Sequence, residues 1–324
     1  MSRPREDGIV IGTLEPGPRN SIADVGVIVG HVTVERTGVT AVVPPSLPLP
    51  AGTAVLNGAG ELTGSLEIRE WGLLETPVYL TATHAVGRVY DGAVAVAMER
   101  DPRVGVETVV IPVVGECDDS WLSDARVAHV QPADVARAVA GATADFEQGA
   151  VGAGAGMSCF DWKGGIGSSS RRAGDHTVGV LLLTNFGSSE QLRVDGVPIG
   201  RLLDERPDEA PDPGGSCIAV LATDAPLTPH QLERLARRAG LGLARAGSVA
   251  HHGSGEIFVA FATSDGRSFA DRELDPLFQA AVDATEEAVL CSLWAAVDTT
   301  GREGRVVRAL PRKAVLELYR GRGR

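Results

Sequence analysis

Short apolar runs separated by glycine turns fill the first third of the chain. They read "GVIVGHVTV", "GVTAVVPP", "GTAVLNGAGELTG" and "PVYLTATHAVG". These runs are rich in Val and Thr, which favour strands, and we expect several of the strands to be buried. A longer run over residues 103–116 predicts a further strand that ends at Glu116.

The middle and the end of the chain mix helices with strands. Alanine and valine at helical spacing after Pro132 predict a helix. The run "HTVGVLLLTN" predicts a strand that ends near Asn185. A strand, a helix, a strand and a last helix are expected over about residues 217–223, 228–246, 256–263 and 274–295. This order predicts layered sheets of the α/β or α+β class.

Residues 201–215 differ from the segments on either side. They read "RLLDERPDEAPDPGG", which is acidic and punctuated by prolines, and such a segment is typical of an exposed loop. At its end Gly214, Gly215 and Ser216 stand directly before a predicted core strand. The local pattern alone favours a surface turn at these three residues.

Composition excludes several classes of partner. Hydrophobic residues make up 44% of the 324 residues, enough for a sizeable core, while aromatic residues make up 4%. The formal net charge of −12 argues against nucleic-acid and anionic-membrane partners, because both require a basic surface. We find no signal-peptide pattern and no apolar run long enough to span a membrane, so a cytoplasmic location is expected. The four cysteines lie far apart without CxxC spacing, which indicates reduced thiols.

Three familiar site patterns are absent or incomplete. The glycines of "GAGAGM" do not fit GxGxxG, and a packing or turn role is favoured for them. His251 and His252 are adjacent, with no Cys or carboxylate at ligand spacing, so a metal site is not expected. There is no GxSxG nucleophile elbow. We therefore predict no metal and no cofactor.

Ser216 has the neighbourhood of a self-processing nucleophile. Its hydroxyl would be held by a rigid strand, and the glycine before it leaves the preceding carbonyl open to attack. If that peptide bond breaks, Ser216 becomes an N-terminal residue. An α-amine has a pKa of about 7.7–8.0, so near pH 7 part of it is neutral and can take the hydroxyl proton.

Two further groups could support such a nucleophile. In an extended segment Ser254 and Glu256 point to the same face, so Glu256 could orient Ser254. An alternative of equal weight is that this segment is simply the polar start of a strand, with Glu256 in solvent. The side-chain amide of Asn185 could serve as an oxyanion donor. A plain turn residue is the more common role for asparagine at a strand end.

Motifs throughout the chain resemble the L-aminopeptidase D-esterase and β-peptidyl aminopeptidase family. They run from "NSIADVGVIVGHVTV" through "LNGAGELTG", "LTATHAVG" and "GMSCFDWKGGIGSSSR" to "GGSCIAVLATDAPLTPHQLERLARRAGLGLAR" and "GSGEIFVAFATS". The resemblance implies an α-β-β-α layered sandwich similar to the N-terminal-nucleophile hydrolases but with different strand connectivity. It further implies one domain over 1–324, self-cleaved into an α chain 1–215 and a β chain 216–324.

The resemblance also implies roles for individual residues. Cleavage falls at Gly215–Ser216, Ser216 is the nucleophile, Ser254 and Glu256 support it, and Asn185 stabilises the oxyanion. Glu116 in "VVGECDDSWLSD" is matched to the acidic residue that receives the free amine of the substrate. The expected substrate is a short peptide, aminoacyl amide or ester with a small N-terminal residue. The expected assembly is a homo-oligomer, a tetramer of αβ units.

The chain departs from some family members beside Glu116. Asp118 stands where those members have a tyrosine, so a phenol donor is lost and a negative charge is gained, and Trp121 is close in sequence. Two alternatives to the hydrolase remain at this point. One is an acyl transferase like the ornithine acetyltransferases, which use a threonine, and the other is a non-enzymatic binding protein.

Overall fold

The computed structural model describes residues 3–204, 215–264 and 269–321. Two sheets carry the fold. The four-stranded sheet has the order β1-β2-β5-β6, with Ile28–Val34, Thr37–Val43, Val78–Ala82 and Val113–Cys117. The six-stranded sheet has the order β4-β3-β12-β11-β10-β9, with Leu73–Leu74, Leu49–Gly58, Gly255–Ala262, Ser216–Thr223, His176–Asn185 and Ile166–Ala173.

Two short hairpins and eight α-helices accompany the two sheets in the described residues. The hairpins are β7 with β8 (Ser158–Cys159, Trp162–Lys163) and β13 with β14 (Thr299–Thr300, Val306–Val307). The α-helices α1 to α8 are Ser65–Trp71, Val86–Arg100, Pro132–Ala140, Ile199–Leu202, Pro229–Ala236, Arg238–Ala246, Asp275–Ala295 and Arg312–Gly321. In the described ranges no helix is long and apolar enough to cross a membrane.

The elements stack in four layers. Helices α2 and α3 cover one face of the four-stranded sheet, and α5, α6 and α7 cover the outer face of the six-stranded sheet. The two sheets pack on each other through a third apolar cluster. Side chains along β11 alternate accordingly, because Ile218 and Val220 point between the sheets while Cys217 and Ala219 point towards the helices. The predicted α-β-β-α sandwich is confirmed.

Strands β11 and β12, at the centre of the six-stranded sheet, run parallel, whereas the pairs on either side of them are antiparallel. Strand β11 is parallel to β12 and antiparallel to β10. Ser216 pairs with Asn185 on one side and with Gly255 on the other. Strand β6 of the opposite sheet packs over β11, and a Cβ on Gly115 would come within 3.0 Å of Ile218. The first residue of β11 therefore lies where both sheets meet.

The strand predicted over residues 103–116 is wrong in its first ten residues. Only Val113–Cys117 is a strand, and Val106 and Val109 are exposed. The backbone carbonyl of Arg103 accepts N–H groups from three following residues, 106 to 108, which closes a turn and excludes sheet pairing. The prediction of a strand over these ten residues was wrong because it assumed that their valines are buried.

Three further predictions, of a helix, a strand and a loop, also need correction. The single helix predicted over residues 228–246 is two helices, which separate at Arg237. The segment "THAVG" was read as part of a strand, yet β5 ends at Ala82 and α2 begins at Val86. The loop predicted over 201–215 begins inside α4, which ends at Leu202, and residues 205–214 lie outside the described residues.

Candidate active site

Ser216 is the first residue of β11 and is buried. It alternates with Ile218, so its side chain lies on the face that looks between the sheets. The Gly255 amide, on the neighbouring strand, donates to the carbonyl of Gly215 at 3.0 Å and lies 3.4 Å from the Ser216 hydroxyl. One N–H group thus approaches both the hydroxyl and the carbonyl that precedes it.

Gly215 is a glycine because of close packing. A Cβ at this position would lie 2.0 Å from the Asn185 carbonyl oxygen and 2.8 Å from the Phe186 Cα. The second glycine of the predicted cleavage segment, Gly214, is outside the described residues.

The Asn185 side chain is held at both ends. Its Oδ1 accepts the Ser158 amide at 2.9 Å, and its Nδ2 donates to the Asp118 carbonyl at 2.8 Å. These bonds fix the orientation of the amide plane. Nδ2 carries two hydrogens, and the Asp118 carbonyl engages one of them.

The Ser254 hydroxyl donates to the Glu256 carboxylate, and both residues are buried. Burial raises the pKa of Glu256, and the Ser254 hydrogen bond opposes that rise. The second carboxylate oxygen, Oε2, has no hydrogen-bond partner among the described residues. The predicted pair is therefore in contact and carries a carboxyl with one unused oxygen.

The Ser254–Glu256 pair does not reach the Ser216 hydroxyl directly. In the described part of the chain no hydrogen bond joins Ser254 to Ser216, and Glu256 is the strand partner of Cys217. Gly255, between the two, contributes the amide that meets Ser216 and its preceding carbonyl. The predicted contact of Ser254 with the nucleophile or with its α-amine stays a prediction.

Asn57 on β3 clamps the turn that precedes β12. Its Nδ2 donates to the carbonyls of His251 and Ser254 at 2.9 and 2.6 Å. This contact fixes the backbone on which Ser254 stands. Sequence reasoning missed Asn57, since it lies in "LNGAGELTG" 194 positions before His251 and no local spacing links the two.

Glu116 stands near the end of β6 with its carboxylate buried. One oxygen accepts the Thr83 hydroxyl and the other accepts the Glu61 amide at 2.9 Å. Burial raises the pKa of Glu116, the two hydrogen bonds oppose the rise, and the charges of Asp118 and Glu61 add to it. The attraction between this carboxylate and a cation is stronger in such a low-dielectric setting than in water.

A cavity of about 500 Å³ joins these groups. Its lining includes Gly60, Thr83, Glu116, Asp118, Ser120 and Ser216. The predicted nucleophile and the predicted amine-binding carboxylate therefore open into one space. Ser254, Glu256 and Asn185 are not among the residues that line this cavity, and Asn185 is the strand partner of Ser216, which does line it.

Asp118 lines the cavity, and Trp121 does not. The Asp118 carboxylate accepts both the amide and the hydroxyl of Ser120 at 2.9 Å. Trp121 instead lies under the Arg305 guanidinium, 4.3 Å from ring centre to carbon. The residue that replaces a tyrosine of some family members therefore adds a second carboxylate to the cavity wall.

The four cysteines are free and buried. Burial raises the pKa of Cys217, the neighbour of Ser216, well above its ordinary value. A thiol that stays protonated is a poor nucleophile. Cys217 also points towards the helices, so Ser216 is the member of this pair that lines the cavity.

The chain is similar in sequence to known peptidases. The sequence profile of Peptidase family S58 matches residues 20–307. A beta-peptidyl aminopeptidase from Sphingosinicella microcystinivorans is 38% identical, over 94% of this chain and 90% of that protein. Both likenesses extend over most of the chain.

Two solved structures superpose on the whole fold. A beta-aminopeptidase from Burkholderia sp. gives a TM-score of 0.93 at 42% identity, covering 100% of this chain and 99% of that one. An L-aminopeptidase D-Ala-esterase/amidase from Ochrobactrum anthropi gives 0.93 at 34% identity, with the same coverage. The latter is described as a prototype of the serine aminopeptidases and as a new variant of the Ntn-hydrolase fold.

Proposed function

This chain belongs to peptidase family S58, and from that premise we propose that it is a self-processing aminopeptidase whose nucleophile is the N-terminal hydroxyl of Ser216. Membership confirms the predicted resemblance and the predicted class, a hydrolase of the aminopeptidase or amidase type. It favours this class over an acetyltransferase and over a binding protein. Self-cleavage, the roles of individual residues and the substrate are our proposals.

The first proposed reaction is the cleavage of the chain itself. The Ser216 Oγ attacks the carbonyl carbon of Gly215, the C–N bond breaks, and the nitrogen takes up the hydroxyl proton. The resulting ester is hydrolysed by water, which leaves a Gly215 carboxylate and a free Ser216 α-amine. The Gly255 amide already donates to the Gly215 carbonyl oxygen, where negative charge develops. This contact supports cleavage at Gly215–Ser216.

The second proposed reaction is turnover of substrate. The neutral α-amine of Ser216 takes the hydroxyl proton as Oγ attacks the substrate carbonyl. The second hydrogen of Asn185 Nδ2 stabilises the oxyanion, and the amine or alcohol leaves with the transferred proton. Water then hydrolyses the acyl-enzyme and regenerates Ser216. The Ser254–Glu256 pair sets the position of the Gly255 amide next to this centre.

Glu116 is the proposed receiver of the substrate ammonium. It lines the cavity with Ser216, and the lining residues within the described ranges include no Lys or Arg. An ammonium bound there restricts cleavage to the first residue of a peptide, amide or ester. We extend the substrate to β-amino acids because the relatives from Sphingosinicella and Burkholderia are named a beta-peptidyl aminopeptidase and a beta-aminopeptidase.

The proposed reaction requires neither a metal ion nor an organic cofactor. A homotetramer of αβ units in the cytoplasm, without nucleic-acid or membrane partners, completes the proposal. Its support is the family resemblance together with the acidic net charge of −12.

The observation that carries the proposal is the shared cavity of Ser216 and Glu116. Its test compares p-nitroanilides of β-alanine, L-alanine and D-alanine with their N-acetylated forms. We expect hydrolysis of at least one free-amine substrate and none of its acetylated form, since acetylation removes the ammonium. Equal rates for both forms would contradict the role of Glu116 and the aminopeptidase assignment.

A further inference from the structure

Lys163 is a fully buried lysine near the candidate active site. It ends the short hairpin strand β8, and its ammonium donates to three backbone carbonyls. These belong to Gly154, Met157 and Gly164, at 3.0, 2.6 and 2.8 Å. An ammonium has three N–H donors, so this cradle uses all of them.

One peptide group joins this cradle to Asn185. The carbonyl of Met157 accepts from Lys163, and the amide of the same peptide unit, Ser158 N–H, donates to Asn185 Oδ1 at 2.9 Å. A peptide unit is planar, so fixing its carbonyl fixes the direction of its N–H. A cation on the carbonyl also polarises the unit and strengthens the N–H as a donor.

The charges that face Lys163 come from three other segments. Asp119 and Cys159 would stabilise a positive charge, and Arg36 opposes it. Burial lowers the pKa of Lys163 to about 7 and raises the pKa of Asp119 to about 7. The described residues contain no ion pair to Lys163, so the three carbonyls are its direct partners.

Asp119 is related to Asn185 through the residue that precedes it. It follows Asp118, whose carbonyl accepts from Asn185 Nδ2 at 2.8 Å. One of the two hydrogen bonds that orient the Asn185 amide is therefore made by the residue next to Asp119, and the other by the peptide whose carbonyl accepts from Lys163. Lys163 is linked to Asn185 through a single peptide unit with hydrogen bonds at both ends, and the Gly164 amide donates to the same Met157 carbonyl at 3.3 Å.

We propose that Lys163 is a positioning residue for the reaction at Ser216: through the Met157–Ser158 peptide it holds Asn185 Oδ1 and thereby directs Nδ2 at the oxyanion. The inference rests on the proposed role of Asn185 as the oxyanion donor. A hydrocarbon side chain of similar length would fill the same volume but remove the ammonium from all three carbonyls, leaving the Met157 carbonyl with the Gly164 amide at 3.3 Å.

The test replaces the ammonium and measures kcat and KM on an aminoacyl p-nitroanilide. Rates are normalised to the amount of free Ser216 N-terminus, so that slower self-cleavage does not count as slower turnover. For Lys163→Met we expect kcat to fall about tenfold to a hundredfold, with KM changed less than about twofold. The matched control is Lys313→Met, an exposed lysine on α8, which leaves both constants unchanged.

A double-variant cycle separates positioning from general stability. If Lys163 acts through Asn185, Lys163→Met in an Asn185→Ala background leaves kcat at the value of Asn185→Ala alone. Losses that multiply instead would overturn the inference. Asn185→Ala with unchanged kcat would refute the proposed oxyanion role, whereas a loss in Asn185→Ala with none in Lys163→Met would refute only the Lys163 inference.

Folding of the variants is checked by near-UV circular dichroism. If Lys163→Met does not fold, the same cycle is run with Lys163→Gln and Lys163→Arg, which keep donors in the cradle. We expect Lys163→Arg to retain more kcat than Lys163→Gln because it keeps the charge. Absence of folded protein in all three variants would overturn the positioning role and leave Lys163 as a structural residue.

Discussion

Asn185 and Ser216 are directly opposed partners on antiparallel strands β10 and β11. Strand partners place their side chains on the same face of a sheet, a few ångströms apart. The candidate oxyanion donor and the candidate nucleophile are therefore aligned by the ladder that holds the core together. Rigid placement of this kind is what catalytic groups require.

The first prediction concerns this pair. Asn185→Ala removes the oxyanion donor, and kcat should fall by about 10² to 10³, as for other single oxyanion donors. KM should change little, because the donor acts on charge that develops only during the reaction. Steady-state kinetics on active-site-titrated enzyme provide the measurement. A kcat within a factor of three of wild type would show that another group binds the oxyanion.

The second prediction concerns Glu116 as a buried charge. Glu116→Gln keeps acceptor and donor atoms for the Glu61 amide and the Thr83 hydroxyl but removes the charge. We expect KM for a free-amine substrate to rise about tenfold to a hundredfold, since a charge-assisted hydrogen bond is lost. The same variant should melt about 1–3 °C higher at pH 7 because the buried charge is gone.

The pH dependence of that stabilisation follows from the raised pKa of Glu116. The folded state holds its proton to a higher pH than the unfolded state, so charging Glu116 costs stability as pH rises through its folded pKa. Below the unfolded pKa of about 4.3, both states are protonated and the cost disappears. The melting temperatures of wild type and Glu116→Gln should therefore converge near pH 4. A constant difference from pH 4 to pH 8 would refute this explanation.

The third prediction concerns the Ser254–Glu256 pair. Ser254→Ala leaves a buried carboxylate with neither oxygen bonded, so the free energy of unfolding at pH 7 should fall by about 1–3 kcal/mol. The pKa of Glu256, already raised by burial, should rise further, and the loss should shrink as pH falls towards about 4.3. Urea unfolding at both pH values measures this.

Ser264→Ala is the matched control for that experiment. The Ser264 hydroxyl donates to the Asp224 carbonyl, which does not titrate. Its removal should cost a similar hydrogen bond, about 1 kcal/mol, with no dependence on pH. If the two serine variants show the same pH profile, the Glu256 carboxyl is not what Ser254 stabilises.

The fourth prediction concerns the residue before the proposed scissile bond. Gly215→Ala places a Cβ against backbone atoms of Asn185 and Phe186, so the start of β11 must shift away from β10. We expect self-cleavage to slow at least about tenfold, because a small misplacement of reacting groups is costly. Electrophoresis over time after expression measures the rate.

Gly87→Ala is the control for that substitution. Gly87 lies in α2, and a Cβ there would meet no atom within 4 Å. Alanine in a helix should be neutral or stabilising by up to about 1 kcal/mol, with no effect on cleavage. Equal cleavage rates in the two glycine variants would argue that Gly215 is not held against Asn185.

The strands around the site could be predicted because their sequences are continuous apolar runs. Strands β10, β11 and β12 are found within about one residue of the expected bounds. Helix α2 was missed because its glycines, alanines and valines resemble the preceding strands. Residues 103–112 were assigned wrongly because turn closure at the Arg103 carbonyl leaves no sequence pattern.

Within the candidate site, the sequence could single out only those hydroxyl, carboxylate and amide side chains that stand at the ends of predicted strands. Ser216, Ser254 and Glu256 stand at recognisable strand starts, and Glu116 and Asn185 stand at strand ends. The groups that orient them are distant in sequence and ordinary in type. Asn57 acts on residues 251–254, and Ser158 and Lys163 act on Asn185 through a backbone peptide. Such links depend on the tertiary fold and cannot be read from local spacing.

The most direct test of the account is the mass of the denatured protein. Wild type should yield two chains, residues 1–215 and 216–324, with Ser216 as the free N-terminus of the second, and Ser216→Ala should remain a single intact chain without amidase activity. A wild-type protein that hydrolyses aminoacyl amides as one uncleaved chain, or a Ser216→Ala variant that still cleaves itself, would contradict the account.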